Sequence, residues 1–301
     1  MKAKRIHIEH DLIHQRIDNF LTRELKGVPK SRIYRAIRGG EVRVNGKRVK
    51  ADYRLEVGDE VRVPPIRQAE RPKEPKINKN LEKNLRDSVI LDEKPYILIN
   101  KPAGLAVHGG SGISLGVIEG FRQLYPKEKL ELIHRLDKGT SGCLLIAKKR
   151  SFLRYMQEKL REKDIDKRYL LIVHGEVEFD KERVDIPLQK FTQISGERMV
   201  VVNNEGKPSV TIFRTLSRTK NCSLLEAQPI TGRTHQIRVH AKEIGHPIVG
   251  DEKYGDRNLD DKLGKWAKER LWLHASSLAF KMPDNQLFSV CSLLRLPAIF
   301  L

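Results

Sequence analysis

The chain has 301 residues, with 58 Lys and Arg against 39 Asp and Glu, a formal net charge of +19. That length suggests roughly two domains, each able to bury a core. The charge points to a polyanionic partner, because cations seated on phosphates release condensed counterions. Residues 1–20 are charged and lack an apolar run. The apolar tail Leu287–Leu301 is too short to span a bilayer and contains Arg295. No membrane partner is therefore expected. Cys143, Cys222 and Cys291 are too scattered for a disulfide frame or a zinc site, and a reduced cytoplasm is the expected home.

Residues 14–65 read as a small basic domain. Lys30 to Lys50 holds eight basic residues and a single acid, Glu41. Ser31 as N-cap and Gly39 as stop predict a short helix. On it Arg32, Arg35 and Arg38 share one face, while Ile33 and Ile37 anchor the other. Asn45-Gly46 between alternating valines predicts a hairpin. Arg43, Lys47 and Arg48 extend the basic surface. Solvated faces usually mix signs and this one barely does, which favours a phosphate-facing stripe.

Residues 66–86 carry Pro72, Pro75, alternating charges and no aromatics. They read as a flexible linker. Residues 87–301 then turn globular. V-I-L-D-E-K-P-Y-I-L-I-N-K-P-A-G predicts a hairpin of two buried strands, leading into a turn-rich loop from Lys101. Gly116 to Tyr125 reads as helical.

Glu131 to Lys148 places Asp137 between the short apolar lead Leu132-Ile133 and the apolar run Cys143–Ala147. Lys138 to Gly142 is a strong turn cluster. The pattern predicts a short strand, a tight turn with Asp137, and a buried strand. His134 and Arg135 flank an Asp presented by rigid elements, a common setting for catalytic groups. Taken alone, such an Asp more often caps a turn. Ser151 to Lys163 predicts an amphipathic helix capped by Ser151, its stripe of Phe152, Tyr155, Met156 and Leu160 facing the core. Lys167 to Val173 predicts a strand with Tyr169 near its start.

Residues 184–226 read as several short strands. Pro229 to His240, P-I-T-G-R-T-H-Q-I-R-V-H, carries a Gly232-Arg233-Thr234 turn suited to phosphate, then a strand or the first turn of a helix. His235 and His240 share neither a helix face nor a strand face, and no ligand partner falls at suitable spacing, so no metal site is expected. A serine-hydrolase elbow fails at Ile113 and Cys143.

The nonapeptide His134-Arg135-Leu136-Asp137-Lys138-Gly139-Thr140-Ser141-Gly142 resembles the signature of the RNA pseudouridine synthases of the large-subunit ribosomal group, in which that Asp is catalytic. Lys167-x-Tyr169 is similar to their second motif, whose Tyr lies against the target base. Pro229–His240 is similar to their third, in which the Arg at the position of Arg238 pairs with the catalytic Asp. Lys101-Pro102-Gly104, Gly206-Lys207-Pro208 and Gly245–Gly255 extend the match, which fades after Ala275 into an apolar end. Arg16-Ile17-Asp18, Ser31-Arg32-Ile33, V-R-V-N-G-K and Val57–Val63 resemble the S4 RNA-binding domain, which reads structured RNA through shape and phosphates.

The resemblance implies an α+β fold, a mixed sheet with helices packed on it and a cleft over the Asp137 loop, behind a small S4 module. It implies a monomeric isomerase acting on uridines of large-subunit (23S) ribosomal RNA or an assembly intermediate. Asp137, Tyr169 and Arg238 are the implied catalytic residues. His134, Arg135, Lys167 and Arg233 are the expected substrate contacts. Arg32, Arg35, Arg38, Arg43, Lys47 and Arg48 are the expected RNA contacts. Pseudouridine formation breaks a glycosidic bond, turns the base and joins C5 to C1′. Nothing is oxidised and no group is donated, so no cofactor is expected. Positive charge builds on the ribose, and a carboxylate stabilises or captures it. An arginine beside Asp137 favours its ionised form and fixes its rotamer.

Overall fold

Ile33, Ala36 and Ile37 fall on one side of a nine-residue helix and are buried, while Arg35 and Arg38 on the other side are exposed. The structure, a computed structural model, describes residues 3–9, 12–25, 27–66, 75–110, 115–193 and 197–300. The chain divides into two compact units, Met1–Glu74 and Pro75–Leu301.

The first unit runs β1 (Lys4–His7), α1 (Ile17–Glu24), α2 (Lys30–Arg38), β2 (Arg43–Val44) and β3 (Glu60–Val63). Its strands form an antiparallel sheet in the order β1-β3-β2. Phe20, Leu21, Ile33, Ile37, Leu55 and Val61 fill the core beneath the two helices. Helix α2 begins two residues earlier than Ser31 as N-cap would place it. Pro29 is the N-cap, its carbonyl accepts from the N–H groups of Arg32 and Ile33, and Ser31 lies within the first turn without capping. Gly39 closes the helix. Asn45 and Gly46 take positive φ in a tight turn bonded both ways between Val44 and Lys47. The turn's hairpin is a single bridge, because β2 spends its ladder on β3.

The second unit starts with a departure from the sequence reading. Residues 67–74 of the expected linker lie outside the described residues. Its end is ordered as α3 (Lys79–Asp87), capped by the Asn78 side chain on the Leu81 N–H. Leu85 is fully buried against α4 (Val117–Leu124), where Gly120 leaves the space it fills. A single well-placed leucine, with Leu81 one turn before it, suffices to dock a helix whose remaining face is charged.

Then follow β4 (Val89–Asp92), β5 (Tyr96–Lys101), β6 (Glu131–Leu132), β7 (Ser141–Ala147), α5 (Arg150–Glu162), β8 (Asp166–His174), β9 (Lys181–Asp185), β10 (Leu188–Thr192), β11 (Arg198–Val202), β12 (Val210–Arg218), β13 (Cys222–Pro229), α6 (Gln236–Glu243), β14 (Leu273–Lys281) and β15 (Leu287–Cys291). Ten of these strands form one mixed sheet, ordered β4-β5-β7-β14-β8-β13-β12-β9, with β6 on β7 and β15 on β14. Only β7 and β14 pair in parallel among the described strands of this sheet. All seven residues of β7 are buried, as its apolar run predicts. Helices α4 and α5 cover the β4–β5–β7 side through Phe121, Phe152 and Met156. Helix α6 covers β8, β12 and β13 through Ile237 and Ala241. Helix α5 is led by Lys149, so Ser151 lies inside it without capping. Strands β10 and β11 make a separate antiparallel ribbon.

The apolar end is partly docked. Leu296 and Phe300 pack near Trp272, while Leu293 is 89% exposed. Among the described residues no helix is long and apolar enough to cross a membrane.

Candidate active site

Strands β6 and β7 pair at Glu131–Ala147 and Leu132–Ile146, and the chain between them makes the loop that carries Asp137. The loop is drawn tight by Thr140 N–H donating to the Asp137 carbonyl at 3.2 Å. Gly142 then enters β7 at φ 106°, with the Ala275 carbonyl so close that a Cβ would sit 2.2 Å from its oxygen. Only glycine fits there, and this approach seats the loop against β14.

Lys101, at the end of β5, fastens the same loop from below. It is fully buried. Its Nζ donates to the carbonyls of Pro102 (2.8 Å), Leu105 (2.7 Å) and Lys138 (3.2 Å). Three acceptors match the three N–H groups of an ammonium. Burial pushes its pKa down to about 7, Arg270 adds to the fall, and Asp137 opposes it.

The Asp137 side chain remains 28% exposed. Arg238 Nη1 lies 3.4 Å from its Oδ2, and His235 Nε2 lies 3.9 Å from the same oxygen. Arg238 reaches it from α6. Gln236 anchors that helix: its amide oxygen accepts from Thr231 Oγ1 and the Arg233 N–H, and its amide nitrogen donates to Val210 O and Thr211 Oγ1 on β12. Arg238 is buried, and its strongest partner is Asp251, with Nε–Oδ2 and Nη2–Oδ1 both at 2.7 Å. Burial disfavours both charges, yet the pairing prevails. Arg238 is raised and Asp251 is lowered from their ordinary pKa values. The guanidinium also lies 4.9 Å from the centre of the Tyr254 ring.

Tyr169, on β8, is half-buried. Burial, with the Asp137 charge second, raises its pKa above the ordinary phenol value. Lys167, also half-buried, has its pKa lowered by burial. Beside them a groove of about 880 Å³ is lined by Lys167, Arg233, Arg161, Lys163 and Lys281, with Asp164 and Asp166 among them. Asp137 is not part of its lining. Arg135 and Arg233 are exposed, and Arg233 Nε donates to the Pro208 carbonyl at 3.1 Å.

His134, an expected substrate contact, is half-buried and bonded to the neighbouring strand. Its Nε2 accepts the Leu145 N–H of β7 at 3.2 Å, and burial, then Lys167, pushes its pKa down to about 4. Neutral and bonded to the strand, the ring fastens the loop. His240 is buried between Thr211 Oγ1 and the Ile186 carbonyl. Among the described residues no group of three or more His, Cys, Asp and Glu could hold a metal ion.

On the first unit Arg35, Arg38, Arg43, Lys47 and Arg48 are exposed. Arg32 is engaged instead, its guanidinium giving Glu41 two bonds of 3.0 and 2.8 Å. Residues 15–61 match the S4 domain model, and residues 95–243 match the RNA pseudouridylate synthase model. The chain is 52% identical over 288 residues to ribosomal large subunit pseudouridine synthase C of Salmonella typhimurium, covering 94% of this chain and 90% of that one.

The chain belongs to the RNA pseudouridylate synthase family.

The Haemophilus influenzae protein of the same name is 50% identical, covering 94% of this chain and 88% of that one. Among solved structures, human RNA pseudouridylate synthase domain containing 4 is 30% identical, with a TM-score of 0.59 over 73% of this chain and 93% of that one. The protein is thus an RNA pseudouridine synthase with an α+β fold. Asp251, Lys101 and Tyr254 were not singled out for the site by their local sequence. Asp251 and Tyr254 lie within Gly245–Gly255, and Lys101 opens Lys101-Pro102-Gly104. Both stretches extended the family match without indicating what these side chains touch.

Proposed function

We propose that the protein isomerises specific uridines of large-subunit (23S) ribosomal RNA to pseudouridine, with ionised Asp137 acting at the ribose C1′ or C2′ of a flipped-out uridine. The observation that carries the reading is an accessible carboxylate with a guanidinium 3.4 Å away on one oxygen. Asp137 Oδ1 accepts no hydrogen bond among the described residues, which leaves that oxygen to meet the ribose.

Breaking the N1–C1′ bond leaves positive charge on the ribose, and a carboxylate beside it lowers the barrier. Attack on C1′ gives a covalent ester, while removal of the C2′ proton gives a neutral sugar alkene. Either route frees the uracil anion to turn and present C5 to C1′. The C5 proton leaves last and restores aromatic conjugation. Tyr169 packs against the base, and exposed Arg135 has the reach to fill the space the uridine vacates. Flipping costs unstacking energy, which phosphate contacts by Lys167, Arg233 and the arginines of the first unit offset.

The relatives named for large-subunit ribosomal RNA support that substrate. The test is to map pseudouridines in 23S RNA from cells with and without the gene, then restore them with purified protein on unmodified transcripts. Sites that vanish without the protein and return with it are the expected result. An unchanged 23S map, with lost sites in transfer RNA, would overturn the ribosomal assignment.

A further inference from the structure

His235 holds φ 54° and ψ 17° at the N-cap of α6, the left-handed region. Gly would hold that turn without Cβ strain, and what the imidazole touches accounts for a side chain there. Its Nδ1 lies 2.7 Å from the Tyr254 hydroxyl, and its Nε2 lies 3.9 Å from Asp137 Oδ2. The Tyr254 oxygen already accepts the Val200 N–H at 3.0 Å. A backbone N–H only donates, so the Tyr254 proton is left for His235 Nδ1. Nδ1 is then the acceptor, and the neutral ring carries its proton on Nε2, the nitrogen that faces Asp137. The groups around the ring are Asp137, Arg238, Lys253, Asp251 and Tyr254. Burial lowers the His235 pKa; the two acids oppose the fall and the two cations add to it.

We propose that His235 is a positioning residue for Asp137: Val200, Tyr254 and His235 form a relay that aims an uncharged Nε2–H at Oδ2. Both His235 and Arg238 address Oδ2, so the carboxylate is turned to present Oδ1. A neutral donor orients the group without adding a second positive charge that would quench it. At 3.9 Å the two are beyond hydrogen-bond reach; on this proposal the bond forms when a nucleoside fills the cleft and expels water. This proposal rests on the reading of Asp137 as the reacting carboxylate.

The test is single-turnover tritium release from RNA carrying 5-tritiated uridine, with RNA affinity measured separately. His235→Asn keeps the left-handed turn, but its amide stops short of Asp137. His235→Gln reaches with an N–H. Loss of one hydrogen bond to a charged group predicts a fall of about tenfold or more for His235→Asn, with RNA affinity within about twofold. His235→Gln should recover most of the rate, and Tyr254→Phe should fall between. Nitrogen-15 shifts of His235 in the wild-type protein should report the Nε2–H tautomer. A residue that only holds the turn predicts the opposite order, with His235→Asn at full rate. Full rate in His235→Asn, His235→Gln no faster than His235→Asn, or an Nδ1–H tautomer in the wild-type protein each overturns the proposal. The tautomer measurement decides the matter even where a variant fails to fold. Full turnover by Asp137→Asn would instead overturn the reading beneath it.

Discussion

Arg238 gives its fork to Asp251, with two bonds of 2.7 Å, and only a remaining N–H, at 3.4 Å, to Asp137. The Asp251 side chain is fully buried, and its Oδ1 also accepts the N–H groups of Lys253 and Tyr254. A carboxylate so fully bonded has no freedom to react. Its part is to hold the guanidinium still, so that Asp137 meets a fixed charge on Oδ2 while its Oδ1 is left open. A bidentate clamp on Asp137 itself would occupy both of its oxygens.

Asp251→Asn should therefore be damaging twice over. It leaves the buried Arg238 charge with only its 3.4 Å contact to Asp137, and breaking such a buried pair costs on the order of 3–5 kcal/mol. Urea unfolding should show the loss, and tritium release should fall with it. The folded Asp251 pKa lies below its ordinary 3.8, because the Arg238 and backbone bonds outweigh burial. Its stabilisation is complete above that ordinary value and disappears as pH falls through the lower folded one. Acid unfolding curves of wild type and variant should converge in that range.

Lys101 predicts a slope of the same sign in a higher pH range. Its folded pKa, about 7, lies below the ordinary 10.5. Between these values the unfolded chain binds the extra proton, so this residue makes stability rise with pH. Lys101→Met should abolish that rise, read as the change in urea midpoint between about pH 7 and about pH 9. The variant also strips the Lys138 carbonyl of its donor, so tritium release should drop through a loosened Asp137 loop. An identical pH slope in the two proteins would remove Lys101 as the cause.

The hairpin that bears Asp137 was legible because its signals are local: a short apolar lead, a Gly-rich turn and a run of five apolar residues. The pairing of Asp137 with Arg238 spans 101 positions and has no local pattern; only family resemblance suggested it. The Arg238–Asp251 clamp, 13 positions apart across a helix end and a loop, left no periodic trace. Nothing in the composition around Lys101 distinguishes a buried lysine from a solvated one. Helix α3 was hidden because two leucines four apart are a faint stripe among charges and prolines. The Arg32–Glu41 pair hid inside a basic run whose single acid looked incidental.

That pair divides the arginine stripe. Glu41 already neutralises Arg32, whereas Arg35 and Arg38 face solvent. Taking one cation off a phosphate should reduce the slope of log affinity against log salt by roughly 0.7–0.9. Arg35→Ala and Arg38→Ala should each show such a reduction on ribosomal RNA fragments, and Arg32→Ala a smaller one. Equal effects at all three positions would mean that RNA displaces Glu41.

Asp137→Asn should abolish tritium release while RNA affinity stays within about twofold. The amide is isosteric but can neither capture C1′ nor take the C2′ proton, and one half-buried acid contributes little to a phosphate-dominated affinity. Any burst of tritium from this variant would place the reacting carboxylate elsewhere.

Tyr169 is the natural candidate to take the C5 proton, yet burial and the Asp137 charge raise its pKa, so near neutrality it keeps its own proton. A mechanism that drew on a small phenolate fraction would run about tenfold faster per pH unit until the phenol titrated. We expect a far shallower profile between about pH 7 and about pH 9, with the neutral ring serving as a platform for the turned base and its hydroxyl accepting the C5 proton as it passes its own on. Tyr169→Phe keeps that platform, so it should retain RNA affinity and bond cleavage and slow only the last proton transfer. Measuring uridine loss and tritium release in the same single turnover separates these steps. A rate in the wild-type protein that climbs about tenfold per unit would restore the phenolate as the base.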